Sequence, residues 1–324
     1  MSETKQQWKE CKNLFEGEYG KFFVCNFQKV EPWWYNSAQF DKSSVRHIVT
    51  MNGTTIESEM PWYDSWQFKV KADEAGCGIP VTKHGDSNMQ FNFCGTDPQN
   101  PLSLFAEIEF TVEDELHVID RPCSVYVPKG VQYGPIRVRK LDRPIIMNQV
   151  LFDSPFYYND MDEMNPLPMK PGKDVGLYGG KWGKCFITNP YRYEAFWYNS
   201  PGFDHSQFKD VVYMDKESLP NGLDPYNTCF QWKFKPEPAG TGHPLNYHPN
   251  AAERVAMIGT DPDNPWDLGG EIEFVIGNEK HVIDRPCIVY VPKMMKHGQV
   301  WFRKVDRPII QAHVLFEPYY CSVE

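Results

Sequence analysis

Basic residues are in deficit in this chain: 33 Lys and Arg stand against 43 Asp and Glu, a formal net charge of −10. Such a chain repels phosphate backbones and anionic headgroups, which argues against nucleic-acid partners and against binding at a membrane surface. No apolar run approaches the roughly 18 residues a membrane-spanning helix needs. The opening MSETKQQWKECKN lacks the apolar stretch of a secretory signal. The expectation is a soluble, cytoplasmic protein. None of the nine cysteines falls in a C-x-x-C pair, and their number is odd. Without a secretory signal, free thiols are expected rather than a disulfide framework. Cys123 and Cys287, set in apolar runs, read as small buried hydrophobes. Helical periodicity is missing too, since no long stretch sustains apolar residues at i, i+3, i+4 and i+7. What is plentiful excludes disorder: 41% of residues are hydrophobic and 15% aromatic, enough to offset the entropy of folding.

A length of 324 residues suggests two domains, and the sequence contains a repeat of that size. GTDPQNPLSLFAEIEFTVEDELHVIDRPCSVYVPK (95–129) returns as GTDPDNPWDLGGEIEFVIGNEKHVIDRPCIVYVPK (259–293), a shift of 164 residues. The correspondence runs without a gap from Gln67/Gln231 to Val150/Val314. We read it as two copies of one domain, at 1–160 and 175–324. The Pro- and Met-rich stretch 153–176 reads as a linker crossing between them, its opening Phe156-Tyr157-Tyr158 packing against the partner domain. Within each copy, segments such as CIVYVPK and IIQAHVLF are short, β-branched and bounded by Pro, Gly or Asp, which is strand chemistry. GTDPDNP is a turn cluster. Each copy is therefore predicted to be an all-β sandwich or barrel of about ten strands.

Two motifs in the second copy carry a resemblance. Gly240, Asn246, His248, Glu253 and Gly259 resemble the first motif of the cupins, and Pro292 with His297 resembles the second. The chain is thereby identified as resembling a bicupin, which implies two jelly-roll β-barrels in one polypeptide. It differs from the family pattern at Asn246, where a His is usual, at Met294, where a Gly is usual, and in the long insert between the motifs. Strand alternation turns Asn246 and His248 to one side. His248, Glu253 and His297 then make a two-His, one-carboxylate set suited to a divalent metal (Fe, Mn, Zn or Ni), with Asn246 as a weak oxygen ligand or substrate contact. The first copy has Thr82, His84, Met89 and Tyr133 at these places, so it is expected to be metal-free and structural. His243 and His313, whose counterparts are Ile79 and Gln149, are further candidates. Strand parity turns His243 away from the site, and His313 is either a wall residue or an acid/base. His117/His281 and the Glu107/Glu109 and Glu271/Glu273 pairs occur in both copies and read as scaffold. So do the Asp-Arg-Pro turns. The clusters Trp33-Trp34-Tyr35 and Phe196-Trp197-Tyr198 read as seals of the barrel or of the seam between copies, with Trp197 or Tyr247 as candidate pocket walls.

Three functions fit this reading. The first is a metal-dependent enzyme acting on a small oxygen-bearing substrate, aromatic and keto compounds included, by redox-neutral cleavage, decarboxylation, isomerisation or hydrolysis. Its catalytic residues would be Glu253, Asn246 and His313. The second is a non-haem Fe(II) dioxygenase on the same ligands. The third is a non-catalytic small-molecule binder. Nine cysteines and 12 methionines, all oxidisable, favour redox-neutral chemistry. The partner expected is a small molecule, with a homodimer as a further expectation.

Overall fold

The computed structural model describes residues 8–25, 32–56, 62–161, 172–190, 204–219, 223, 225–238 and 243–323. The architecture is all β: among the described residues no helix reaches 7 residues, and the helical pieces are short 3-10 turns. No helix among the described residues is long and apolar enough to cross a membrane. Two β-barrels, each made of a larger and a smaller sheet, lie side by side.

In the first barrel the larger sheet orders Phe186–Ile187, Cys123–Val127, Met89–Gly95, Ile145–Leu151, Tyr63–Lys69 and Val45–Met51. Its smaller sheet orders Lys173–Asp174, Glu115–Ile119, Ala106–Val112, Gln132–Leu141 and Thr82–Lys83. In the second barrel the larger sheet orders Phe208–Met214, Asn227–Lys233, Ile309–Leu315, Glu253–Ile258, Cys287–Val291 and Phe23–Val24. Its smaller sheet orders Lys9–Glu10, Glu279–Ile283, Gly270–Ile276 and His297–Val305.

The two kinds of sheet differ in burial because they meet different surroundings. Strands Ala106–Val112 and Gly270–Ile276 bury alternate residues and turn the glutamates of their E-I-E-F motifs outward. There Glu107 and Glu109 meet Arg139 and Arg137, and Glu273 meets Lys280. Strands Met89–Gly95, Ile145–Leu151 and Glu253–Ile258 are buried at every position. Met89, Phe91 and Phe93 pack into the first barrel, whereas Trp66, Phe68, Ile146 and Val150 join a core shared with Phe230, Trp232, Ala256 and Val314 of the second. One face of each larger sheet thus lines its own barrel and the other is pressed against the neighbour, which is why the strands read as continuous apolar runs. The seam is aromatic, with Trp66 and Phe230 at 5.5 Å, Trp62 and Tyr290 at 5.4 Å, and Trp62 stacked on Phe316. It also holds a buried ion pair, Arg254 to Asp64 at 2.6 Å. The same two positions exchanged between copies carry Gln90 and Thr228, a neutral hydrogen-bonded pair at 3.2 Å.

The barrels also exchange arms. Residues 9–24 lend two short strands to the second barrel: Lys9–Glu10 runs parallel to Glu279–Ile283, and Phe23–Val24 pairs with Cys287–Val291. Residues 173–187 do the same for the first barrel, on Glu115–Ile119 and Cys123–Val127. The stretch after 153 therefore does not cross to the other barrel at once, as the sequence suggested. Tyr157 and Tyr158 pack on His84, and Tyr157 on Tyr63, within the first barrel, while Phe156 is largely exposed. Among the described residues, 173–187 still pair with the first barrel, and Phe208–Met214 pair with the second. The aromatic opening of the stretch packs on its own barrel, where Tyr157 also meets the Tyr133 hydroxyl at 3.2 Å.

His117 and His281, predicted to be scaffold, fasten these arms. His281 Nδ1 meets the Leu14 carbonyl at 3.0 Å, and His117 Nδ1 meets those of Gly176 and Leu177. Beside them Glu279 accepts from the backbone N–H of Glu18 and Tyr19, and Glu115 from that of Lys181 and Trp182. The Asp-Arg-Pro turns carry exposed adjacent ion pairs, Asp120–Arg121 and Asp284–Arg285. Cys123 and Cys287 are fully buried, and all nine cysteines are free. Trp34 is buried against Phe40 in the first barrel, whereas Phe196, Trp197 and Tyr198 lie outside the described residues.

Candidate metal centre in the second barrel

The centre is assembled by three segments distant in sequence. Glu253 opens strand Glu253–Ile258, with its side chain on the barrel face. His297 opens strand His297–Val305. Asn246 and His248 lie on a loop sewn to that strand by paired backbone hydrogen bonds between Asn246 and His297, each 2.8 Å. The loop can lie so close because residue 298 is Gly: a Cβ there would sit 2.4 Å from the Pro244 carbonyl oxygen. Met294, in the place of the usual Gly, takes a left-handed φ of 65° and donates its backbone N–H to the His248 carbonyl. Gly130, its counterpart in the first copy, takes φ 75° and makes the same bond to His84.

The donors converge. His297 Nε2 lies 2.8 Å and His248 Nε2 3.5 Å from Glu253 Oε2, and all three residues are at least 95% buried. Each histidine is oriented from behind by a backbone carbonyl: His248 Nδ1 meets Cys321 at 2.6 Å and His297 Nδ1 meets Met295 at 3.0 Å. Nδ1–H donation to those carbonyls fixes both rings with Nε2 toward Glu253: without an ion Nε2–H donates to the carboxylate, and loss of that proton would leave a lone pair for a metal, an outer support typical of metal-binding imidazoles. The carboxylate of Glu253 is held well below the usual range. Burial opposes this, but the charge of His248 and hydrogen bonds from His248, His297 and His313 outweigh it. In return His248 is raised, with burial opposing and Glu253 dominating. Asn246 Oδ1 is buried with no hydrogen-bond partner. An uncompensated buried carbonyl oxygen beside two oriented imidazoles and an ionised carboxylate is a donor set that fits a divalent cation.

His313 sits on strand Ile309–Leu315 and reaches the other carboxylate oxygen, with Nδ1 3.0 Å from Glu253 Oε1. Its Nε2 is 2.7 Å from Gln311 Nε2. With Nδ1–H donating to the carboxylate, Nε2 accepts from the Gln311 amide, so both ring nitrogens are engaged. His243 faces the same cavity, 6.0 Å from the His313 ring, and stands outside the converging set of three. Strand parity misplaced it because residues 243–248 are not a regular strand and make only isolated bridges. Tyr247 bridges Val323, and Gly240 lies outside the described residues. Tyr213, Asn227 and Tyr320 complete the wall. Neither they nor the Cys321 carbonyl were singled out from the sequence. A backbone carbonyl leaves no trace in residue identity, but the hydrogen bond from Asn227 to the Tyr213 hydroxyl at 2.6 Å joins two polar residues on neighbouring strands, a pairing open to inspection. The cavity is small, about 30 Å³, room for a few water-sized groups.

Among the described residues of the first barrel no such donor set forms. His84 Nε2 is hydrogen-bonded to the Tyr133 hydroxyl at 2.9 Å, Tyr133 meets Tyr157 at 3.2 Å, and Met89 is fully buried.

No family profile and no curated protein matches the sequence. Solved structures do match. Two variants of oxalate decarboxylase from Bacillus subtilis align with 12% and 11% identity and TM-scores of 0.53 and 0.52. Each alignment covers 86% of this chain and 75% of the other. A third structure, described as addressing substrate binding and a reaction-specificity switch in oxalate decarboxylase, aligns at 13% identity and TM-score 0.51 over the same shares. At such identities the likeness is one of fold, and it agrees with the paired barrels seen here: this chain has the bicupin architecture.

Proposed function

We propose that the second barrel binds one divalent metal ion through His248, Glu253 and His297, with Asn246 as a neutral fourth contact, and acts on a small carboxylate or carbonyl compound by redox-neutral cleavage, decarboxylation foremost. The observation that carries this is the convergence of two oriented imidazoles on one buried carboxylate oxygen, in the barrel whose counterpart offers only a thioether and a phenol at two of those places. A bound cation would supply a positive centre that polarises a substrate oxygen. His313 acts through Glu253: by occupying Oε1 it leaves Oε2 to face the two histidines, which makes it a positioning residue. The cavity limits the ligand to a few heavy atoms. The structural neighbours add support, being oxalate decarboxylases, one of them described for its Mn(II) centres.

The test combines metal analysis with turnover of small oxo-acids. Protein purified without air should carry one ion per chain at this centre, and His297→Ala and Glu253→Ala should each lose it while staying folded. His84→Ala should keep it. Release of CO2 without O2 consumption is the expected outcome. Substrate-dependent O2 uptake with iron would replace the redox-neutral reading by dioxygenase chemistry, and full metal content in His297→Ala would remove the ligand assignment.

A further inference from the structure

A second cluster of metal-ligating side chains lies outside this centre, where the arm 9–24 meets the smaller sheet of the second barrel. Cys11 Sγ lies 3.8 Å from His281 Nε2, and His281 Nε2 lies 3.5 Å from Glu279 Oε2. Cys11 is 9% exposed, Glu279 2% and His281 not at all. A tetrahedral ion with bonds of about 2.3 Å to sulfur and about 2.0–2.1 Å to nitrogen and oxygen has S···N and N···O edges of about 3.6 and 3.3 Å. The observed separations are each within about 0.2 Å of those edges, and the third, between Cys11 and Glu279, is within 4.8 Å, so an ion would enter by drawing those two donors together. His281 is already oriented, since Nδ1 meets the Leu14 carbonyl and Nε2 is turned toward the other two donors. Glu279 is divided: Oε1 takes the Lys9 ammonium at 2.6 Å and the Glu18 N–H, whereas Oε2 takes the Tyr19 N–H at 3.0 Å and also faces His281. The Lys9 ammonium offsets one of the two negative ligands. A surface groove lined in part by Cys11, Asn13, Asp284 and Arg285 opens beside the thiol and gives an ion access.

The first barrel again serves as a comparison. There Glu115 and His117 are arranged alike, at 3.6 Å, with His117 Nδ1 on backbone carbonyls. Val175 holds the place of Cys11, since its backbone N–H meets the Leu116 carbonyl as that of Cys11 meets the equivalent Lys280 carbonyl. The Glu–His pair fastens an arm in both barrels, and the thiol is what distinguishes the second.

We infer that Cys11, Glu279 and His281 form a second metal site, for a zinc-class divalent ion, which pins the exchanged arm to the second barrel. Without an ion, burial and the nearby Glu279 keep the thiol protonated, as a weak donor to His281. Binding displaces that proton into solvent and places thiolate, imidazole and carboxylate on the ion, with one position left for water.

Co2+ is a probe that separates the two centres, because only a site with a thiolate ligand gives intense near-ultraviolet charge transfer. Metal-stripped full-length protein titrated with Co2+ should develop that band. Cys11→Val, which installs the residue of the first copy, should abolish it and lower the bound Co2+ by one per chain, with an unchanged far-ultraviolet spectrum. His297→Ala should keep the band even if the other centre fails to bind. Zn2+ should slow amide exchange across residues 9–19 at least tenfold in the wild type and leave Cys11→Val unaffected. No band in the wild type, or a band that survives Cys11→Val, would overturn the site and leave a thiol–imidazole hydrogen bond. Equal exchange with and without Zn2+ would overturn the pinning role.

Discussion

At the scale of single residues, the contrast between His84 and His248 shows how environment decides chemistry. Both occupy one position of the repeat, yet burial pushes His84 down to about 4 against the weaker opposing charge of Asp160, whereas His248 is raised by Glu253 despite its burial. The folded-state pKa of His84 lies below its ordinary 6.5, so the unfolded chain takes up that proton first as pH falls. Stability present above pH 6.5 is then lost progressively toward pH 4, by about 3 kcal/mol at most for a depression of this size. Urea denaturation of wild type and His84→Phe at pH 7 and pH 4.5 should show a smaller acid loss in the variant. Met294 yields a second expectation. Its left-handed backbone costs an L-residue roughly 1–2 kcal/mol, so Met294→Gly should raise the melting temperature while leaving metal content unchanged. The candidate ligands were legible in the sequence because the two copies differ there in chemically meaningful ways, with Glu253 against Met89 and His297 against Tyr133. The place of His243 was not, because parity holds only along a regular strand. The Cys321 carbonyl was invisible for a simpler reason: any residue could supply it.

At the scale of elements, the β architecture and the strand-bearing segments were legible from β-branched runs and turn clusters. The arm strands were not. Each is only two residues long, and Lys9–Glu10 pairs with a strand about 270 positions away, so no periodicity announces it. What holds the arms is side-chain chemistry at their turns. Glu115 and Glu279 each accept two backbone N–H groups, and Gly17 and Gly180 lie so close that a Cβ would fall 2.3–2.4 Å from the carboxylates. Charge-assisted bonds of this kind contribute about 1.5–3 kcal/mol each. Glu115→Ala is expected to loosen residues 173–187 selectively, seen as faster hydrogen exchange there with the core of the first barrel unchanged. Uniformly faster exchange over the whole barrel would show that the arm is not a separate unit.

At the scale of the whole molecule, the seam joins the barrels through a core rather than a hinge, and at its centre two positions hold Asp64 with Arg254 on one side and Thr228 with Gln90 on the other. A buried charge stripped of its partner costs about 3–5 kcal/mol, whereas replacing both charges is often nearly neutral. Asp64→Thr alone and Arg254→Gln alone should each destabilise the protein to about that extent. The double variant, which copies the neutral pair from the other side of the seam, should recover most of the loss in chemical denaturation. Equal losses in single and double variants would show that the pair matters through packing and not through charge.

The exchange of arms has one more consequence, for what happens when the chain is divided. A polypeptide ending at 161 would retain the strands of the first barrel up to Leu151 but leave the edge of Cys123–Val127 without its neighbour. An uncovered edge offers free backbone donors and acceptors to any other strand, so such a fragment should self-associate. A synthetic peptide spanning 172–187 should lessen the part of that association that runs through the edge, leaving the part that runs through the bared seam of Trp66, Phe68 and Ile146, and the same peptide with Ile187→Pro should lessen it less. The molecule would in that sense be open to fragment complementation, with each barrel recognising a missing piece of about fifteen residues.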